Sequence, residues 1–236
     1  MAGKAGISSL RPSPGGRRID GAHRTVLVVL FDDVQSLDVT GPAEVFAGAE
    51  QHTPGTYRIR TASLDGAPVR TSSGLTDVPD LALAKAPVPD TLTVPGGRGS
   101  QNPDPRLVEW LRGHGTGARR LVSVCTGAIL LAAEGLLTGR RATSYWLALD
   151  LLVRFGVEPT GERVVTDGKY VTAAGVSSGI DMGLTPVGRI AGDEHAQAVQ
   201  PLAEYDPRPP CDAGSPEKAP AHLVEEFRVK NRFIQT

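Results

Sequence analysis

The chain has 236 residues, 40% of them apolar and 22% charged, a globular balance that excludes a disordered chain. Lys plus Arg number 25 against 26 Asp plus Glu, and the resulting net charge of −1 leaves no electrostatic footprint for nucleic acid and no basic face for a membrane. No apolar run reaches the ~18 residues of a membrane span, no secretory apolar core follows the N-terminus, and two cysteines make no disulfide framework, so a cytoplasmic setting is expected.

Residues 1–23 are small, polar and rich in Pro and Gly, and read as a disordered leader before a single domain over 24–236. Val26–Phe31 is a continuous apolar run that suits a strand buried on both faces of a parallel sheet. A loop over Asp32–Thr40 is expected next, with Pro42 at the first turn of a helix over Ala43–Ala49. Tyr57–Ala62 alternates as a strand, with Pro68–Thr71 pairing near it. Thr91–Val94 is a strand that stops at Pro95-Gly96-Gly97, and Asp104–Arg112 is a helix. Leu121–Val124 is another buried strand, followed at once by a helix from Thr126 to Glu134. Thr143–Phe155 reads as a helix ended by Gly156, and Asp167-Gly168 turns a hairpin between Val164–Thr166 and Tyr170–Thr172. Two last helices, Ser177–Ala191 and Glu194–Tyr205, precede a Pro-rich stretch. Alternating strands and helices predict an α/β fold with a mostly parallel sheet covered on both sides and a site at the strands' carboxyl ends.

The sharpest chemical feature is Ser123-Val124-Cys125-Thr126-Gly127-Ala128, where an apolar strand feeds straight into a helix. A strained turn there lifts the cysteine above the sheet, and a helix N-terminus favours the thiolate, so a depressed pKa is expected for Cys125. The alternative is a cysteine that merely packs. Cys211, between Pro210 and Asp212, has no such setting. Gly97 and Thr126 offer backbone N–H groups for an anion pocket, unless the glycines form only a tight turn. Asp38, boxed by Leu37 and Val39, predicts a partly buried carboxyl with a raised pKa, or else a cap on the helix at Pro42. The five histidines are dispersed without ligand spacing, so no metal is expected.

Leu37-Asp38-Val39-Thr40-Gly41-Pro42-Ala43-Glu44-Val45-Phe46, Val94-Pro95-Gly96-Gly97, the Cys125 segment and Arg141-Ala142-Thr143 together resemble the DJ-1/PfpI superfamily. Ala174-Gly175-Val176-Ser177-Ser178-Gly179-Ile180-Asp181 and Glu204-Tyr205-Asp206-Pro207-Arg208-Pro209-Pro210 narrow the resemblance to its isonitrile hydratase-like branch, which also includes the sensor half of some AraC-type regulators. The resemblance implies a flavodoxin-like three-layer sandwich and a homodimer acting on a small molecule without a cofactor. It also implies Cys125 as nucleophile, Asp38 as general acid and base, and Thr126 as a polar neighbour. Gly97, Arg98, Tyr145 and Glu44 are the expected substrate-binding residues. Tyr145 stands where relatives usually carry a histidine, and Arg98 where they often carry a small polar residue. Arg98 is then either a receptor for an anionic substituent or a solvated surface arginine. The implied reaction is hydration of an isonitrile. A different reaction on the same scaffold, or a ligand- or redox-sensing domain, are the alternatives.

Overall fold

A computed structural model describes residues 23–231, so the expected leader lies outside the described residues. Chain order runs β1 (Arg24–Leu30), α1 (Ser36–His52), β2 (Tyr57–Ser63), β3 (Val69–Arg70), β4 (Thr76–Asp77), β5 (Leu81–Ala82), β6 (Thr91–Val94), α2 (Pro105–Gly115), β7 (Arg120–Val124) and α3 (Gly127–Ala133). It continues with β8 (Arg141–Ala142), a 3₁₀ run over Trp146–Phe155, β9 (Glu158–Pro159), β10 (Val164–Asp167), β11 (Tyr170–Ala173), α4 (Ser178–Ala191), α5 (Asp193–Leu202) and α6 (Ala221–Val229).

Seven strands form one sheet in the order β10-β11-β7-β6-β1-β2-β5. All neighbours are parallel except the β10–β11 hairpin, which turns at Gly168 with φ +61°. The sheet is covered on both faces, which is why β1 reads as unbroken apolar sequence. Leu27 and Val29 pack with Leu92, Leu111, Leu131 and Leu152 on the face covered by α2, α3 and the 3₁₀ run. Val26 packs with Phe46, Val187 and Val199 under α1, α4 and α5.

Several sequence expectations are corrected. Helix α1 begins at Ser36, seven residues before the expected start, and holds Pro42 in its interior. Proline there removes only the N–H that would have bonded the Asp38 carbonyl, and its ring is seated against Gly179 of α4. Asp38 therefore stands in the first turn of a helix, not in a loop. Val69–Arg70 pairs antiparallel with Thr76–Asp77 across Gly74 and not with β2. Residues 143–145 are not helical, because the Thr143 N–H donates to Thr172 Oγ1 (2.9 Å) and the Ser144 hydroxyl to the Cys125 carbonyl (2.9 Å). Tertiary partners there override helix propensity. Helix α6, with only Val224 of its residues buried, lies where the sequence predicts no element.

The carboxyl ends of β6 and β7 touch through glycine. A Cβ on Gly127 would lie 2.1 Å from the Val94 carbonyl oxygen and 2.9 Å from that of Pro95. Both contacts are backbone and cannot yield cheaply, so Gly127→Ala is expected to lower unfolding free energy by about 2–4 kcal/mol. Urea denaturation measures this, and a loss below ~0.5 kcal/mol would show that the two strands can separate.

Candidate active site

Strand β7 delivers Cys125 to the sheet edge in a left-handed conformation, φ +57°, that a residue with a side chain adopts only under constraint. The constraint is visible. Its N–H is shared between the carbonyls of Ala173 (3.1 Å) and Ala174 (2.9 Å), and its own carbonyl accepts from Ser144. A Cβ on Gly96 would lie 2.5 Å from the Thr126 nitrogen and 3.0 Å from the Cys125 Cβ, so the loop after β6 can close over the turn only as glycine. Cys125 is left 6% exposed.

Asp38 comes to this turn from α1 and is wholly buried. Its Oδ2 accepts the Gly96 N–H at 2.9 Å, while Oδ1 is buried with no hydrogen bond formed. Burial pushes the carboxyl up from 3.8 to about 7, against the pull of the Gly96 N–H and the Cys125 thiol. The Cys125 thiol is also pushed up, by burial first and then by the Asp38 charge. The Thr126 N–H and hydroxyl and the Val176 N–H oppose this by stabilising the sulfur's charge. The depressed pKa expected from the helix N-terminus is thus reversed. Helix α3 has seven residues, and its weak dipole loses to desolvation.

Two buried acids in contact titrate as a pair. Near neutrality the first proton leaves and the second is held, so one proton serves both groups. It sits on sulfur opposite a carboxylate, or on Asp38 opposite a thiolate. The Gly96 N–H favours the first arrangement, and the Thr126 and Val176 N–H groups favour the second. The thiolate beside a neutral carboxyl is a nucleophile with its proton donor already in place.

Other residues divide. Thr126 is at the turn, its Oγ1 accepting the Gly97 N–H (3.0 Å) and lying 2.7 Å from Ser100 Oγ. The Gly97 N–H is therefore engaged and not a free anion donor, which corrects that expectation. Tyr145 is half-buried, its ring filling the space a Cβ on Gly175 would need (2.7 Å to Cδ2). Burial and then the Cys125 charge push its phenol up, so it is a neutral donor at neutral pH. Arg98 is not at the turn. It is exposed, paired with Asp33 (3.2 Å), and lines a separate hollow of about 560 Å3 with Asp65 and Arg106. That hollow includes none of Cys125, Asp38 and Tyr145. Glu44 is exposed on the outer side of α1, beside Val199 and Leu202 of α5. Val176, Ser144 and Ser100 were missed. Only Val176 left a signal, as part of the Ala174–Asp181 motif.

Residues 24–188 match the DJ-1/PfpI family. The chain is 40% identical over 204 residues to an isonitrile hydratase of Pseudomonas putida, covering 86% of this chain and 87% of that one. A THiJ/PfpI family protein from Pseudomonas syringae superposes with a TM-score of 0.86 at 30% identity, over 95% of this chain and 93% of its own. The HTH-type transcriptional regulator CdhR of Pseudomonas aeruginosa is 35% identical over 61% of this chain, which spans only 44% of that regulator.

The Asp38 shift fixes a pH dependence. A carboxyl with a folded pKa of about 7 and an ordinary value of 3.8 takes up a proton on folding between those limits. Its contribution is most favourable below about pH 4 and is lost as pH rises through about 7. Asp38→Asn removes this loss, so the variant should gain about 2–4 kcal/mol on the parent between about pH 4 and pH 8. Denaturation at both pH values checks it, and a pH-independent difference would show that Asp38 is not buried as an acid.

Proposed function

Since the chain belongs to the DJ-1/PfpI family, we propose that it is a cysteine-dependent, cofactor-free enzyme that hydrates an isonitrile to an N-substituted formamide. The observation that carries this is the buried Asp38–Cys125 pair, a thiol and a carboxyl with a raised pKa brought together at a strained turn. The identity to an isonitrile hydratase over most of both chains supports the choice of substrate class.

The steps follow from the proton inventory. Cys125 Sγ attacks the terminal isonitrile carbon, and the carbon takes the proton held by Asp38, leaving a thioimidate and a carboxylate. Asp38 then removes a proton from water as its oxygen adds to the same carbon, and passes that proton to the nitrogen. The carbon–sulfur bond breaks as the new hydroxyl returns its proton to Asp38, the formamide leaves, and the pair again holds one proton. Atoms balance as isonitrile plus water giving formamide. Thr126 and Val176 hold the sulfur's charge at the start and at its release. Tyr145 supplies a hydroxyl and an aromatic wall, which suits a substrate with an acceptor oxygen near the isonitrile. Arg98 and Glu44 have no part in this chemistry. A homodimer in the cytoplasm is the assembly and setting that go with this reading.

A second reading is a ligand-sensing domain without turnover, favoured by the likeness to CdhR and by the near-complete burial of the sulfur. Formamide production from a simple alkyl isonitrile and from one bearing a carbonyl separates the two. Turnover is expected in the parent, none in Cys125→Ala, and a fall of ~10²-fold or more in Asp38→Asn. Tyr145→Phe should reduce turnover of the carbonyl-bearing substrate by ~10-fold while barely affecting the simple one. Binding of either isonitrile without any formamide would replace the enzyme by the sensor.

A further inference from the structure

Of the two motifs that carry the branch resemblance, only Val176 enters the chemistry just described. The two motifs meet in space. Ala174–Asp181 links β11 to α4, and Glu204–Pro210 follows α5. Asp181, in the first turn of α4, accepts from Arg163 Nε at 2.6 Å and from the Tyr205 hydroxyl at 3.1 Å. Arg163 Nη2 also donates to Ser177 Oγ at 3.2 Å. Tyr205 is brought back toward Asp181 by Glu204, whose φ of +45° is one of three positive values at non-glycine residues among the described ones. The Tyr205 N–H closes on the Gln200 carbonyl at 2.9 Å and the Glu204 N–H on the Pro201 carbonyl at 3.3 Å, so the left-handed closure of α5 is what directs Tyr205 toward Asp181.

The other end of the same network reaches Cys125. The Arg163 carbonyl accepts the Ala174 N–H at 3.0 Å, and the Ala174 carbonyl accepts the Cys125 N–H at 2.9 Å. Arg163 therefore holds the segment 174–177 from both sides, by its carbonyl at Ala174 and by its guanidinium at Ser177. Between these lie Gly175, packed under the Tyr145 ring, and Val176, whose N–H stabilises the sulfur's charge. An N–H stabilises a thiolate only while its direction is fixed, and a segment containing glycine does not fix itself.

We infer that Arg163, Asp181 and Tyr205 are positioning residues that hold the Val176 N–H on Cys125 and so bias the shared proton toward Asp38. None of the three touches the sulfur, and their effect runs through segment 174–177. The inference rests on the reading of Cys125 as the nucleophile but not on the identity of the substrate.

The test therefore uses the sulfur and no isonitrile. Tyr205→Phe, Asp181→Asn and Arg163→Ala are compared with the parent at about pH 8, where the pair has lost its first proton. Two quantities are read: the alkylation rate of Cys125 by chloroacetamide, located by mass spectrometry, and the ultraviolet absorbance of its thiolate, taken as the difference from Cys125→Ser. The rate is expected to fall ~3- to 10-fold in Asp181→Asn and Arg163→Ala and ~2- to 3-fold in Tyr205→Phe, with the thiolate signal falling in proportion. Cys211, exposed in the same chain, should alkylate at the parent's rate throughout. A parent-like rate and signal would overturn the inference even if the melting temperature dropped, and so would a slower rate with an unchanged thiolate signal, which reports access. Tyr205→Phe loses only a hydroxyl and remains decisive if Arg163→Ala does not fold. Absence of isonitrile turnover with these shifts present would remove the hydratase reading and leave the positioning role standing.

Discussion

A carboxyl group taken wholly out of water with one oxygen unpaired is unfavourable in any protein. Here it is retained because everything around it is built to tolerate it. Asp38 occupies the first turn of α1, where the helix dipole favours negative charge, and Gly96 hands it a backbone N–H. The sulfur of Cys125 is its remaining companion. Neither group can carry a charge freely, and each depends on the other for its proton. That mutual dependence is the constraint around which this edge of the sheet is arranged.

The backbone is shaped to keep the two groups together. Cys125 is held at positive φ by two carbonyls on its N–H and a serine on its carbonyl, and Gly96 and Gly127 let β6 and β7 approach where any side chain would collide. Pro42 performs the same service from the helical side. It costs α1 one hydrogen bond, and its ring packs on Gly179 at the start of α4. Strain and lost hydrogen bonds collect at this edge of the sheet, while the apolar layers on either face supply the stability that sustains them.

Much of this is legible in the residues. The apolar run of β1, the hairpin at Gly168 and the cysteine at a strand–helix junction each follow from local pattern, and the structure has them in place. Asp38 as a raised carboxyl was also readable, because Leu37 and Val39 flank it. What was not legible depends on distance in the chain. The early start of α1 hides behind Pro42, which looks like a first-turn residue unless Gly179 is known to face it. The non-helical stretch at Thr143 and Ser144 is decided by Thr172 and Cys125, 29 and 19 residues away from their respective partners in sequence. The direction of the Cys125 shift is decided by burial, which outweighs a seven-residue helix. Arg98 follows the double glycine directly, yet the loop turns its side chain to Asp33 and away from the sulfur.

That loop has a consequence for how the sheet edge can change over time. Gly97 and Gly99 lie so close to the backbone of Asp32, Asp33 and Gln35 that neither accepts a Cβ. The hollow walled by Asp65, Arg98 and Arg106 takes in Gly99 but none of Cys125, Asp38 and Tyr145. Exchanging an exposed wall residue alters the hollow's charge and shape without moving an atom beside Cys125. Mutational drift therefore has a permissive compartment and a forbidden one within a few residues of each other. The scaffold can acquire a new recognition surface at the carboxyl ends of β1 and β2 while the thiol–carboxyl pair stays as it is.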